Sequence, residues 1–134
     1  MTIRTVINVP AFDTGEYEGC EFSMSEGSAV LTIKAASIPP FSIQFKKVRW
    51  HQFTAKYNCS SEQVNGCYFS LGEMVPSPAL QSFLNQDKAS AKAYMELHHF
   101  RIFLDETGCH ELFSESASAN NSLKSDAAKP RTLG

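Results

Sequence analysis

The residues whose types suggest chemistry fall in two stretches, Lys46 to Phe53 and His98 to Phe113. The first mixes basic and aromatic side chains: Lys46, Lys47, Arg49, Trp50, His51 and Phe53. Those are the ingredients of a platform for single-stranded nucleic acid. The plainer reading is a bulged strand with its lysines in solvent and Trp50 in the core. It is preferred because the body of the chain is acidic and holds a single tryptophan. The second stretch places His98, His99, Cys109 and His110 across a hairpin. Alternation puts His99 with Cys109 and turns His98 and His110 away, and no CxxC or HxxxH spacing gathers them, so no metal is expected. A cysteine nucleophile needs a histidine and an orienting acid nearby. Cys67 lies in the apolar run Cys67-Tyr68-Phe69 and reads as a small buried hydrophobe. Cys109 sits beside a turn, with no recognisable motif around it. Glu16, Glu18, Glu21 and Glu26 make the N-terminal region acidic, which reads as a solvated edge. Nothing resembles a phosphate loop, a nucleophile elbow or a dinucleotide fingerprint, and no cofactor is expected.

The element that must position these groups is the hairpin His98 to Ser114. Its turn is Asp105-Glu106-Thr107-Gly108, with Gly108 suited to the left-handed position. Setting Asp105 opposite Cys109 gives a register in which Phe100 faces Ser114 and Arg101 lies diagonal to Glu111. Side chains alternate along a strand, so Phe100, Ile102, Leu104 and Leu112 share a core face. His99, Arg101 and Phe103 share the other with Cys109, Glu111 and Phe113. Such a mixed face is half-exposed or covered by a partner.

Upstream, Thr2 to Val9 reads as a strand ending at Pro10. Glu18 to Met24 and Ser28 to Lys34 alternate as a hairpin closed by Ser25-Glu26-Gly27, with Leu31 and Ile33 inward. Ile38-Pro39-Pro40 reads as a corner, because two prolines remove two backbone donors. Phe41 to Tyr57 is a long β-like run in which Phe41, Ile43 and Phe45 share a face. Val48 and Trp50 fall on the opposite parity, and that phase slip at Lys46-Lys47 reads as a bulge. Asn58 to Gly66 reads as a polar loop and Cys67 to Leu71 as a short strand. Ser77-Pro78 has the form of a helix start, with a serine cap and proline at the first helical position. Leu80, Phe83 and Leu84 continue it. Whether it runs on through Ala89, Ala91 and Ala93 is open. The order of elements predicts an α+β fold: a mainly antiparallel sheet packed with one helix, and a C-terminal hairpin.

A chain of 134 residues with 10 phenylalanines and 19% charged residues suits one compact β-rich domain. Residues 1–116 are expected to form it, with 117–134 a loose extension of small, polar, non-periodic residues. The net charge is −2, and Lys124, Lys129 and Arg131 outnumber Asp126 in that extension, so the body is more acidic still. An acidic body argues against nucleic-acid binding. No apolar run approaches a membrane span or a signal peptide. The chain is therefore expected in the cytoplasm, with Cys20, Cys59, Cys67 and Cys109 as thiols.

Residues Ala119 to Gly134, ANNSLKSDAAKPRTLG, resemble the translated recombination site of an integron gene cassette. Such sites begin near a CTAAC box, often continue AATTCGCTCAAG, and end in GTTAGGC. Ala119 to Lys124 back-translate to the first pattern and Thr132 to Gly134 to the second. The resemblance covers about the last eighth of the chain. It implies a bacterial gene carried on a mobile cassette, and it implies no activity.

Two functions from different classes are expected. The first is a non-catalytic binding protein, homo-oligomeric or capping another protein. Its outer hairpin face, with Phe103 and Phe113, would serve as the interface. The alternative is a small enzyme or carrier of an anionic small molecule, with a pocket between sheet and helix. Arg49, Trp50, His99 and Arg101 would bind the ligand there.

Overall fold

A computed structural model of the chain describes residues 2–86 and 96–120. Among the described residues nine strands are seen: β1 (Thr2–Asn8), β2 (Tyr17–Ser25), β3 (Ser28–Ala35), β4 (Ile38–Lys46), β5 (Trp50–Ala55), β6 (Ser70–Val75), β7 (His98–Leu104), β8 (Gly108–Ser114) and β9 (Ser116–Asn120). Among the same residues two α-helices join them, α1 (Ser61–Val64) and α2 (Pro78–Gln86). The strands form two antiparallel sheets, ordered β1-β6-β7-β8-β5 and β2-β3-β4-β9. A single sheet against a helix was expected. Instead the main core lies between two sheets, and α2 is the main helix.

The sheets face each other through the alternating apolar residues that the sequence displays. Leu31 and Ile33 of β3 and Ile43 and Phe45 of β4 meet Leu71 of β6, Ile102 and Leu104 of β7 and Leu112 of β8, all fully buried. Phe45 and Phe100 touch across the gap, with ring centroids 6.0 Å apart. Each such side chain contributes about 1.5–3 kcal/mol when removed from water.

The phase slip at Lys46-Lys47 is the point where the chain changes sheets, not a bulge within one. Lys47 takes φ +55° there. The Val48 N–H still bonds the Gly27 carbonyl of the β2–β3 turn at 2.7 Å, and the next N–H, of Arg49, bonds Phe113 of β8 at 2.8 Å. A second crossing, from β8 to β9, is pinned beside the first. The buried Ser114 hydroxyl lies 3.1 Å from the Lys46 carbonyl and 2.8 Å from that of Ser116, and the Glu115 N–H donates to Lys46 at 3.0 Å.

Other sequence readings shift. The prolines of Ile38-Pro39-Pro40 open β4, where the ladder to β3 skips between Ile33 and Ala35. The chain beyond Ala117 is not loose at its start: Ser116–Asn120 pairs with β4 from Lys46 to Ser42. That ladder uses backbone groups, which small residues supply as well as large ones. The polar stretch Asn58 to Gly66 contains α1, whose Ser60 and Gln63 form a reciprocal capping box. Ala89, Ala91 and Ala93 lie outside the described residues.

In the β7–β8 hairpin, Leu104 pairs with Gly108, Arg101 with Glu111 and Phe100 with Leu112. The register differs by two residues from the expected one because Glu106, at φ +73°, takes the left-handed turn position assigned to Gly108. A two-residue shift preserves alternation, so both faces hold their expected residues.

Candidate functional site

The outer face of β7–β8, opposite the sandwich core, is the chemically richest surface among the described residues. His99, Arg101, Phe103, Cys109, Glu111 and Phe113 are all buried. Their cover comes from the chain itself. Phe83 of α2 packs edge-on to Phe113 at 5.2 Å, and Cys59, ahead of α1, and Val64, its last residue, pack against Cys67, Phe103 and Cys109. Phe103 and Phe113, expected to need a second chain, are thus covered from within and offer no open interface.

Beneath that cover, polar groups form one chain of hydrogen bonds centred on Glu111. Its Oε1 meets His99 Nε2 at 2.8 Å and Arg101 Nη2 at 3.2 Å, while its Oε2 accepts from Gln63 Nε2 at 3.2 Å. His99 Nδ1 lies 2.7 Å from the Ser77 hydroxyl. Arg101 Nη1 donates to the Glu62 carbonyl at 3.0 Å. Direct cross-strand pairing sets Arg101 against Glu111, and the capping box of α1 turns the Gln63 amide toward the same carboxylate. Burial alone would raise the pKa of Glu111. The hydrogen bond from His99, the Arg101 charge and the Gln63 amide outweigh burial and hold it at about 2. Nearby thiols move the other way: burial pushes Cys67 up to about 11 and raises Cys109 further. Neither supplies a thiolate near neutral pH.

One guanidinium nitrogen remains unmatched. Arg101 Nε is buried and has no hydrogen-bond partner. The residue lines a cavity of about 200 Å³ together with Thr2, Ile3, Glu62, Asn65 and Met74. This pocket lies between the sheet and α1. One wall is set by Ile3, packed onto Gly66 and Gly72 so closely that a Cβ on Gly66 would come within 2.2 Å of it.

The expected ligand residues divide. His99 and Arg101 meet at Glu111. Trp50 joins them from β5, stacked on Phe113 at 4.4 Å and edge-on to His99 at 6.4 Å. It is half-buried on this outer face, not in the sandwich core where the bulged-strand reading put it. Arg49 stands at the sheet crossing and is not among the residues lining the Arg101 cavity. Sequence reasoning missed Ser77 and Gln63 as members of the site. Ser77 was legible as a helix cap, which it is, accepting from the Leu80 N–H at 3.0 Å. Its spacing says nothing of His99. Gln63 was signalled by the S-x-x-Q pattern from Ser60 to Gln63.

Two further polar groups occupy opposite edges of the sandwich. At one, His51 Nε2 and His110 Nδ1 lie 3.1 Å apart, with Phe22 of the other sheet stacked on His51 at 4.0 Å. Burial, then the neighbouring His51, lowers the His110 pKa to about 4. At the other, Glu73 is held by Arg4 and His98 beside an open cavity of about 250 Å³. Among the described residues, no three His, Cys, Asp or Glu side chains are placed to hold a metal ion. No helix there is long and apolar enough to cross a membrane.

Compared with known proteins, the chain matches no family model, no curated protein and no solved structure.

Proposed function

We propose that the protein binds a small molecule carrying a carboxylate or phosphate group, with Arg101 at the floor of the cavity as its anchor. One observation carries this reading: Arg101, whose buried Nε has no hydrogen-bond partner, lines a cavity of about 200 Å³. An unpaired buried donor is costly to leave, and a guanidinium bordering a cavity favours an anionic ligand there. Glu111 and the Glu62 carbonyl fix the other two guanidinium nitrogens, so the group is oriented in advance. Preorganisation of this kind favours binding because little side-chain freedom remains to be lost.

Differential scanning fluorimetry against a panel of small carboxylates and phosphates tests the reading. A ligand at 100 times its Kd adds about 2.7 kcal/mol of stability. At least one anion should raise the wild-type Tm by several degrees and leave Arg101→Met unmoved. If no anion shifts the wild type, or if both proteins shift alike, the cavity is not an anion site.

The resemblance of Ala119 to Gly134 supports a bacterial, cassette-borne origin as part of the same proposal. The four cysteines stand as free thiols, which suits a reducing cytoplasm.

A further inference from the structure

We propose that Ser77, His99 and Glu111 form a hydroxyl–imidazole–carboxylate relay that hydrolyses small carboxylic esters, with Ser77 as the nucleophile. The proposal goes beyond the anion cavity and shares Glu111 and Arg101 with it. The diagnostic geometry is a nucleophile within hydrogen-bond reach of a base that a third group orients. Here the Ser77 hydroxyl is 2.7 Å from His99 Nδ1, and His99 Nε2 is 2.8 Å from Glu111 Oε1. The carboxylate accepts, so the tautomer with its proton on Nε2 leaves Nδ1 to accept from the serine. The two ring nitrogens are used in the reverse of the order found in serine proteases: Nδ1 exchanges the proton with the serine, and Nε2 keeps its proton on Glu111.

Three further features suit the chemistry. Arg101 and Gln63 also hold Glu111, so its carboxylate is fixed behind the imidazole. Trp50 and Phe113 meet the imidazole edge-on and restrict its rotation. Ser77 is only half-buried while His99 is buried, so the nucleophile keeps access to solvent and its base is shielded.

The reaction balances without a co-reactant other than water. Ser77 Oγ bonds the ester carbonyl carbon as its proton passes to His99 Nδ1. The C–O bond to the alcohol breaks, and the alcohol leaves with that proton. Water then repeats the exchange on the acyl-serine, releasing the acid and restoring the hydroxyl.

The test treats the full chain with a fluorophosphonate probe, followed by intact mass and peptide mapping, and follows p-nitrophenyl acetate release in parallel. Ser77→Asn keeps a competent helix cap and removes the nucleophile. One phosphonyl group per chain on Ser77, with p-nitrophenol release reduced about 100-fold in Ser77→Asn, is the expected result. The absence of label from Ser77, or release unchanged in Ser77→Asn, overturns the proposal. Because the label reports the serine and not the cavity, its failure would leave anion binding at Arg101 standing, and the reverse also holds.

Discussion

The β7–β8 hairpin has two faces built in different ways. On the inner face Phe100, Ile102, Leu104 and Leu112 are buried apolar side chains packed against a second sheet. On the outer face, one residue along each strand, His99, Arg101 and Glu111 are also buried, under two short helices. Apolar burial stabilises in proportion to area. Burying ions costs desolvation that their mutual attraction only partly offsets, and apolar residues of similar size often do as well or better. The inner face is therefore what folding needs. The outer face is a polar arrangement whose benefit to folding is small, and which we read as a site.

The contrast can be broken in steps. Glu111→Ala leaves Arg101 and His99 buried without their acceptor and should lower unfolding free energy by about 3–5 kcal/mol in urea titrations. Leu112→Ala, one residue on and facing inward, should cost about 2–5 kcal/mol, with the whole loss attributable to packing and cavity formation. Acid should act through the His51–His110 pair. An unfolded histidine protonates near pH 6.5 and His110 in the fold only near pH 4, so the unfolded chain binds more protons in between. Stability should then fall as pH drops from 6.5 toward 4, by up to about 3 kcal/mol, and His110→Gln should flatten that slope. Ser77→Ala should cost about 1 kcal/mol through the lost helix cap. At the small end, Lys34→Ala breaks the exposed pair with Glu21 and should change stability by less than about 1 kcal/mol.

Alternation made both faces of the hairpin legible in the sequence, and it survived a wrong register because the slip was two residues. The second sheet was not legible. A bulge and a crossing between sheets both appear as a change of parity, and Lys46-Lys47 fits either. Strand β9 was hidden because Ser-Ala-Ser-Ala pairs through its backbone and carries no apolar pattern. Within the site, His99 and Arg101 stood out as polar residues in a β pattern. Ser77 did not, because its partner lies 22 residues away in sequence and meets it only through the packing of α2 on the sheet. The cover over Phe103 and Phe113 was missed for a related reason. A four-residue helix leaves no periodicity, so the aromatic face was assigned to a second chain.

The most direct test replaces the ionic centre with hydrocarbon, His99→Leu with Arg101→Met and Glu111→Leu together, and measures unfolding free energy in urea. If the polar face is kept for binding, the triple variant should match the wild type to within about 1 kcal/mol, or exceed it. A loss of more than about 3 kcal/mol would mean that the network holds the fold together, and the outer face would be structure and not a site.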